Sequence, residues 1–368
     1  MRRVAFLLPE LAGGGAERAS ATLASTLPQE RFKPILLLQH TSPRQYAVAD
    51  HVEVVELGAT SPVAAVLPLR AAIERFRPEV IYSALPHLNA LAVVLARTVR
   101  PRPHVIVSVH NNTAREYADL RKRWLTVGEP LTYLLADAIV CVSEGLTETL
   151  RALRRRDAAK AQVIPNPIDL AEIASSAQRP PDHRWFSGEH RPVVAVGRLV
   201  SQKDYPTLLR AFASVTPSHP DARLLILGEG PKEAELKSLV ASLGLCDSVE
   251  FLGRVADPYS YLGAAACFAQ ASSYEGFGMA IVEALAAGAP VAATDCQFGP
   301  REVLDGGRLG LLSPVGRPDP LAANITRLLE DEELTNRLSR EGRLWAARYA
   351  PAAVAEQLAN LIDSVCQH

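Results

Sequence analysis

Residues 267–295, CFAQASSYEGFGMAIVEALAAGAPVAATD, admit few folds. CFAQA is an apolar run of strand length, SSYEGFG is a polar, glycine-bearing loop, and MAIVEALAA is built largely of good helix formers. Gly288 stands where the helical pattern stops, and PVAAT after it reads as a second buried strand. The stretch is therefore a β-loop-α-β unit, which places a helix N-terminus at the carboxyl edge of a parallel sheet. Free backbone N–H groups and the positive end of the helix dipole at that edge favour an anion such as a phosphate.

Two carboxylates mark this unit, Glu275 in the loop and Glu283 on the helix. With the helix starting near Gly278, Glu283 lies about 7.5 Å along it at roughly 1.5 Å per residue, so one ligand can reach both. Carboxylates repel phosphate, so hydroxyls are the expected partners: a sugar for Glu275 and a ribose for Glu283.

The rest of the chain repeats the alternation. RRVAFLLP, FKPILLLQ, VEVVEL, PEVIYSAL, HVIVSVHNN, ADAIVCVS and AQVIPNPID read as strands, with helical runs such as ASATLASTL, LPLRAAIERF and NALAVVLARTV among them. This order predicts a parallel sheet with helices on both faces. At 368 residues the chain suits two such domains facing a cleft. Periodicity breaks in IASSAQRPPDHRWFSGEHRPV, which predicts a first domain over 1–185 and a second over 186–349. VVAVGRLVSQKDYPTLLRAFASV then reads as strand, turn and helix, with Arg198 and Lys203 in the turn; two cations there could clamp a diphosphate, Arg as a fork and Lys as a point charge. Gly13, Gly14 and Gly15 sit at the first strand-to-helix turn, in neither the G-x-G-x-x-G nor the P-loop pattern. His87 with Asn89, and His110 with Asn111, stand at strand carboxyl ends, where such sheets bind ligands.

Composition narrows the class. No run of about 18 apolar residues exists to span a membrane, and VAFLLP is too short for a signal peptide's apolar region. Cys141, Cys246, Cys267, Cys296 and Cys366 show no metal-ligand spacing, as expected of reduced thiols in a cytoplasmic protein. Residues 1–185 carry 23 Lys and Arg against 18 Asp and Glu (+5), and residues 186–368 carry 16 against 22 (−6). A chain this balanced is not a nucleic-acid binder. The basic helical stretches with Arg115, Arg121, Lys122, Arg123 and Trp124, and with Arg154, Arg155 and Arg156, suit either a solvated face or peripheral contact with the anionic inner face of the cytoplasmic membrane.

The run YEGFGMAIVEALAAGAPVAATD resembles the signature of the family 4 glycosyltransferases, retaining nucleotide-sugar enzymes of the two-domain GT-B fold. The resemblance extends over nearly the whole chain and is strongest over 193–316. It implies two Rossmann-like, doubly wound domains and a C-terminal helix, about 350–368, that crosses back to the first. It implies that Gly197, Arg198 and Lys203 hold the donor's diphosphate, with Gly228, Gly230, Gly276, Phe277, Gly278 and Met279 around the donor and the Gly253–Arg254 backbone at its base. Gly14, Gly15 and Glu17, in GGxE, are implied near the diphosphate and the acceptor, and His110, in SVHN, as a cleft histidine. Arg198, Lys203, Glu275 and His110 are thus the expected catalytic residues, and Glu17, His87, Asn89 and Asn111 the expected acceptor contacts. The CxxGPxEVL form, here CQFGPREVL, implies work on bacterial cell-surface glycans. No D-x-D occurs, so no metal or other cofactor is expected. The expected activity is transfer of a hexosyl or N-acetylhexosaminyl group from a UDP-sugar to a glycan or lipid-linked glycan. A GDP-mannose-dependent mannosyltransferase, a sugar-nucleotide 2-epimerase and a non-catalytic sugar-nucleotide-binding protein are the alternatives. Oligomeric state is not specified by the sequence.

Overall fold

The computed structural model describes residues 1–12, 14–110, 129–153, 157 and 159–367. Gly13, Asn111 and the basic segments 115–124 and 154–156 lie outside the described residues. The chain divides into two compact units, 1–168 with 349–368, and 169–348.

The first unit is a seven-stranded sheet of β1 (Arg2–Leu8), β2 (Phe32–Leu38), β3 (Glu53–Glu56), β4 (Val80–Ala84), β5 (His104–Val109), β6 (Ala138–Cys141) and β7 (Ala161–Val163). Their order is β3-β2-β1-β4-β5-β6-β7, every pair parallel. Strands such as FKPILLL are nearly uniformly buried, which a sheet covered on both faces requires.

The second unit contains β8 (Arg191–Val196), β9 (Ala222–Leu227), β10 (Val249–Gly253), β11 (Cys267–Gln270), β12 (Val291–Thr294) and β13 (Leu311–Ser313), in the order β10-β9-β8-β11-β12-β13 and again all parallel. Strand order reverses beside β8, which pairs with β9 on one side and β11 on the other. In such sheets ligands bind outside the carboxyl ends of the strands at the point of reversal, here between the loops that leave β8 and β11.

The chain returns to the first unit at Tyr349, whose carbonyl accepts the Ile168 N–H at 2.9 Å. On the final helix, Pro351–Cys366, Val354, Ala355, Leu358, Ala359 and Ile362 recur at helical spacing and bury in the same core as Phe6, Leu8 and Leu36. Asp363 on that helix accepts from Arg31 at 2.5 Å and Arg2 at 3.1 Å. The helix thus crosses back as expected. The break expected after residue 185 comes earlier, at 168/169. The Leu170–Ser176 helix packs on the Pro258–Gly263 and Met279–Ala287 helices, so it and the polar stretch after it belong to the second unit. Among the described residues, no helix is long and apolar enough to cross a membrane.

Candidate active site

The second unit's site begins with backbone. β8 ends at Val196, and Gly197 follows at φ 157°, a conformation that favours glycine. The turn closes in a short 3₁₀ segment, Ser201–Lys203. It is held from below: the buried Tyr205 hydroxyl donates to the Gly197 carbonyl at 2.9 Å. Burial raises that phenol's pKa, so it stays a donor. It is also packed from the side, because a Cβ on Gly228 would lie 2.1 Å from the Gly197 oxygen and one on Gly230 2.5 Å from the Leu199 oxygen. These two glycines, expected at the donor, let two protein backbones meet. The Arg254 N–H, expected near a nucleotide base, donates to Glu229 Oε1 at 3.3 Å.

β11 delivers the other half. The expected helix forms over Met279–Ala287, with Gly278 at its N-cap (φ 91°), no side-chain cap, and Gly288 closing it in the left-handed conformation. Its uncapped N-terminus leaves backbone donors for a ligand at the crevice. Phe277 is buried, and Gly299 packs so tightly on its backbone that a Cβ would lie 2.2 Å from the Phe277 oxygen.

Lys203 and Glu275 join the two halves. Lys203 Nζ donates to Glu275 Oε1 at 2.5 Å, and the same oxygen accepts from Ser272 Oγ at 2.7 Å and Gln270 Nε2 at 3.2 Å. Gln202 ties the loops again, donating from Nε2 to the Tyr274 carbonyl and accepting the Ser273 N–H on its own carbonyl. Glu275 is 6% exposed. Arg198, by contrast, is exposed and makes no ion pair among the described residues. Cys296 lies close by, and burial, reinforced by Glu275, pushes its thiol up to about 12. It is a protonated packing residue, not a nucleophile.

Glu283, on the second turn of the same helix, is buried rather than solvated, and its Oε1 accepts from the buried Tyr259 hydroxyl at 3.2 Å. Gln270, Ser272 and Tyr259 were not singled out by the sequence, and Gly299 entered only as one position of CQFGPREVL, with no contact assigned to it. The first two end or follow an apolar strand and look like packing residues there, and the others act across gaps in the chain that no local pattern bridges.

In the first unit, Gly14 caps the Gly15–Thr26 helix and both glycines are exposed. The Glu17 carboxylate folds back on Gly14, where a Cβ would lie 3.1 Å from its Oε2. Asn89 and His110 meet at Ser108: Asn89 Nδ2 donates to the Ser108 carbonyl at 3.1 Å, and His110 Nε2 lies 2.9 Å from Ser108 Oγ. Asn89 Oδ1 and His110 Nδ1 are buried without a hydrogen-bond partner among the described residues. Burial lowers the His110 pKa to about 4 and lowers that of His87, on which His40 acts in the same direction. Both imidazoles are neutral at physiological pH. Among the described residues, no cluster of three or more His, Cys, Asp or Glu side chains could hold a metal ion.

Two parallel sheets, each with a strand-order reversal, and a terminal helix returning to the first define a protein of the GT-B fold. The solved structures agree. Anabaena Alr3699/HepE in complex with UDP and glucose superimposes with a TM-score of 0.80 at 21% identity, covering 99% of this chain and 100% of that one. Sucrose-phosphate synthase from Thermosynechococcus elongatus gives 0.82 at 21% identity, covering 99% of both. The glycosyltransferase family 4 model matches residues 13–172 and the glycosyl transferases group 1 model residues 184–345. The chain belongs to the family 4 glycosyltransferases. Among curated relatives, an uncharacterised glycosyltransferase of Methanocaldococcus jannaschii is 27% identical over 63% of this chain, which spans 59% of that protein's length. The N-acetylgalactosamine-N,N'-diacetylbacillosaminyl-diphospho-undecaprenol 4-alpha-N-acetylgalactosaminyltransferase of Campylobacter jejuni is 26% identical over 96% of this chain and 98% of its own.

Proposed function

We propose that the protein is a retaining glycosyltransferase that moves a hexosyl or N-acetylhexosaminyl group from a UDP-sugar to a glycan or lipid-linked glycan in cell-surface polysaccharide assembly. The observation that carries this reading is the convergence of Arg198, the Lys203–Glu275 pair and an uncapped helix N-terminus on the switch point of the second sheet. The UDP bound to HepE supports the donor class, and the diphospho-undecaprenol in the Campylobacter protein's name supports the acceptor class.

The bond between the sugar's anomeric carbon and the diphosphate breaks with its electron pair leaving on the phosphate oxygen. Arg198, Lys203 and the N–H groups at the helix start stabilise that charge, a preorganised electrostatic role that usually outweighs other contributions. The acceptor hydroxyl oxygen bonds to the anomeric carbon on the same face, and its proton passes to the departing phosphate oxygen. Glu275 holds a sugar hydroxyl, Glu283 a ribose hydroxyl, and the first unit, through Glu17, His87, Asn89 and His110, the acceptor. The cations take the place of a divalent ion. A lipid-linked acceptor calls for contact with an anionic membrane face, for which the basic segments 115–124 and 154–156 are the proposed surface.

A panel of UDP- and GDP-sugars, followed by nucleotide release with and without polyprenyl-diphosphate-linked sugars and in excess EDTA, tests the reading. Acceptor-dependent release from a UDP-sugar that survives EDTA is expected. Conversion of donor without acceptor makes the protein an epimerase, release only from GDP-mannose makes it a mannosyltransferase, and binding without turnover makes it a binding protein. Activity lost in EDTA and restored by Mg²⁺ or Mn²⁺ overturns the cation clamp.

A further inference from the structure

Three donors converge on one oxygen of Glu275. Lys203 Nζ, Ser272 Oγ and Gln270 Nε2 all reach Oε1, at 2.5, 2.7 and 3.2 Å, while Oε2 has no partner among the described residues. A carboxylate offers roughly four acceptor sites over its two oxygens, so Oε1 is saturated and a further hydroxyl must use Oε2. Resting on the glycosyl-transfer reading above, we propose that Gln270 and Ser272 are positioning residues that anchor Glu275 by Oε1 and so present Oε2 to the donor sugar.

The anchor matters because Lys203 has two claims on it. In the proposed reaction Lys203 turns toward a diphosphate, and a buried carboxylate released by its cation would be left uncompensated and free to rotate. Ser272 and Gln270 are neutral donors that no phosphate attracts. They keep Glu275 in place while Lys203 serves the leaving group.

Gln270 carries a second mark of this role. It is 5% exposed, and its Oε1 is buried with no hydrogen-bond partner among the described residues. Burying an amide with its acceptor unsatisfied costs stability, and an apolar side chain of similar shape would relieve that cost. Packing in β11 alone does not explain a glutamine here, whereas a fixed N–H directed at Glu275 does. Ser272 is fully buried, and its own carbonyl accepts from Thr294 Oγ1 at 2.7 Å, which fixes the backbone from which the hydroxyl points.

The test uses Gln270→Met, which removes donor and orphan acceptor at similar volume, and Ser272→Ala. Both are made in the parent and in a Glu275→Gln background, with UDP and the UDP-sugar that the panel identifies as donor. Gln270→Met is expected to melt no lower than the parent and to bind UDP equally well, yet to lower kcat by about tenfold with donor KM within about twofold, the pattern of an interaction made in the transition state. Ser272→Ala should lower kcat at least as much. In the Glu275→Gln background either change should cost less than about twofold, because both act through the same carboxylate. Parent-like kcat in both variants, or a loss that persists in full in the Glu275→Gln background, overturns the inference. A fall in kcat that only tracks a fall in melting temperature overturns it as well. A parent that transfers from no UDP-sugar overturns the functional reading, and this inference with it.

Discussion

Lys203 and Glu275, 72 residues apart, form an ion pair at 2.5 Å between the loops that follow β8 and β11. The pair spans the point where the strand order of the second sheet reverses. Its side chains are 17% and 8% exposed, so the charges are held largely out of water and each depends on the other. The two residues expected to hold separate parts of a ligand hold each other in the structure, and ligand binding must redistribute that contact.

Arg198 and Lys203 should therefore separate when each is changed to Ala. Both variants are expected to lower turnover by about 10²-fold, the scale of losing one transition-state charge partner. Lys203→Ala should also destabilise the second unit by about 3 kcal/mol, because it leaves the Glu275 carboxylate buried without its cation. Arg198→Ala, at an exposed side chain with no ion pair among the described residues, should change stability by less than about 0.5 kcal/mol. Urea unfolding beside steady-state kinetics checks this, and near-normal turnover of Arg198→Ala at saturating donor would mark it as an ordinary surface charge.

Gly228→Ala should damage the donor side without touching a ligand. The added Cβ would lie 2.1 Å from the Gly197 carbonyl oxygen, at a residue whose φ of 144° already suits glycine alone. Overpacking of this kind costs about 1–3 kcal/mol, and the backbone must move away from the Arg198 turn to relieve it. Lower stability together with weakened UDP binding, read by calorimetry, is the expected result. A variant with parent-like stability would show that the two backbones can part freely.

Much of the fold was legible because the strands are short, continuous apolar runs and the helices between them carry a helical period. The Met279–Ala287 helix, bracketed by Gly278 and Gly288, lies where the sequence places it, and the final helix shows its apolar face in VAEQLANLI. Glu275 and Lys203 were legible as residues but not as a pair, because nothing local records that the β8 and β11 loops lie side by side. Gly228 and Gly230 were expected around the donor through the resemblance alone; their lack of a Cβ also lets the 197–199 backbone approach, a packing role that no local pattern records. Gln270 was hidden in an apolar strand, where only its contact with Glu275 distinguishes it from a packing residue.

His110 should make the first unit sensitive to acid. Burial lowers its pKa to about 4 from an ordinary value of about 6.5, so the unfolded chain takes up a proton that the folded one refuses. The stability this represents is fully present above about pH 6.5 and is lost as pH falls toward 4, by up to about 3 kcal/mol. His110→Gln, which does not titrate, should flatten the pH dependence of the urea midpoint across that window. An unchanged slope would show that other groups, His87 among them, set the acid sensitivity.

Tyr259 and Glu283 supply the last prediction. Glu283 Oε1 accepts the Tyr259 hydroxyl at 3.2 Å, and both residues are buried. In the proposed function Glu283 holds the ribose, a contact that persists from ground state to transition state and so contributes uniform binding. Glu283→Ala should raise the donor KM by about tenfold or more with little change in kcat, the loss of one hydrogen bond to a charged group. Tyr259→Phe keeps the ring and removes only the hydroxyl that steadies the carboxylate. It should raise KM by a few-fold in the same direction, again with kcat retained. Because Tyr259 acts through Glu283, the double variant should be no worse than Glu283→Ala alone. Additive losses would place Tyr259 on the ligand itself, and an unchanged donor KM in Glu283→Ala would remove that glutamate from the site.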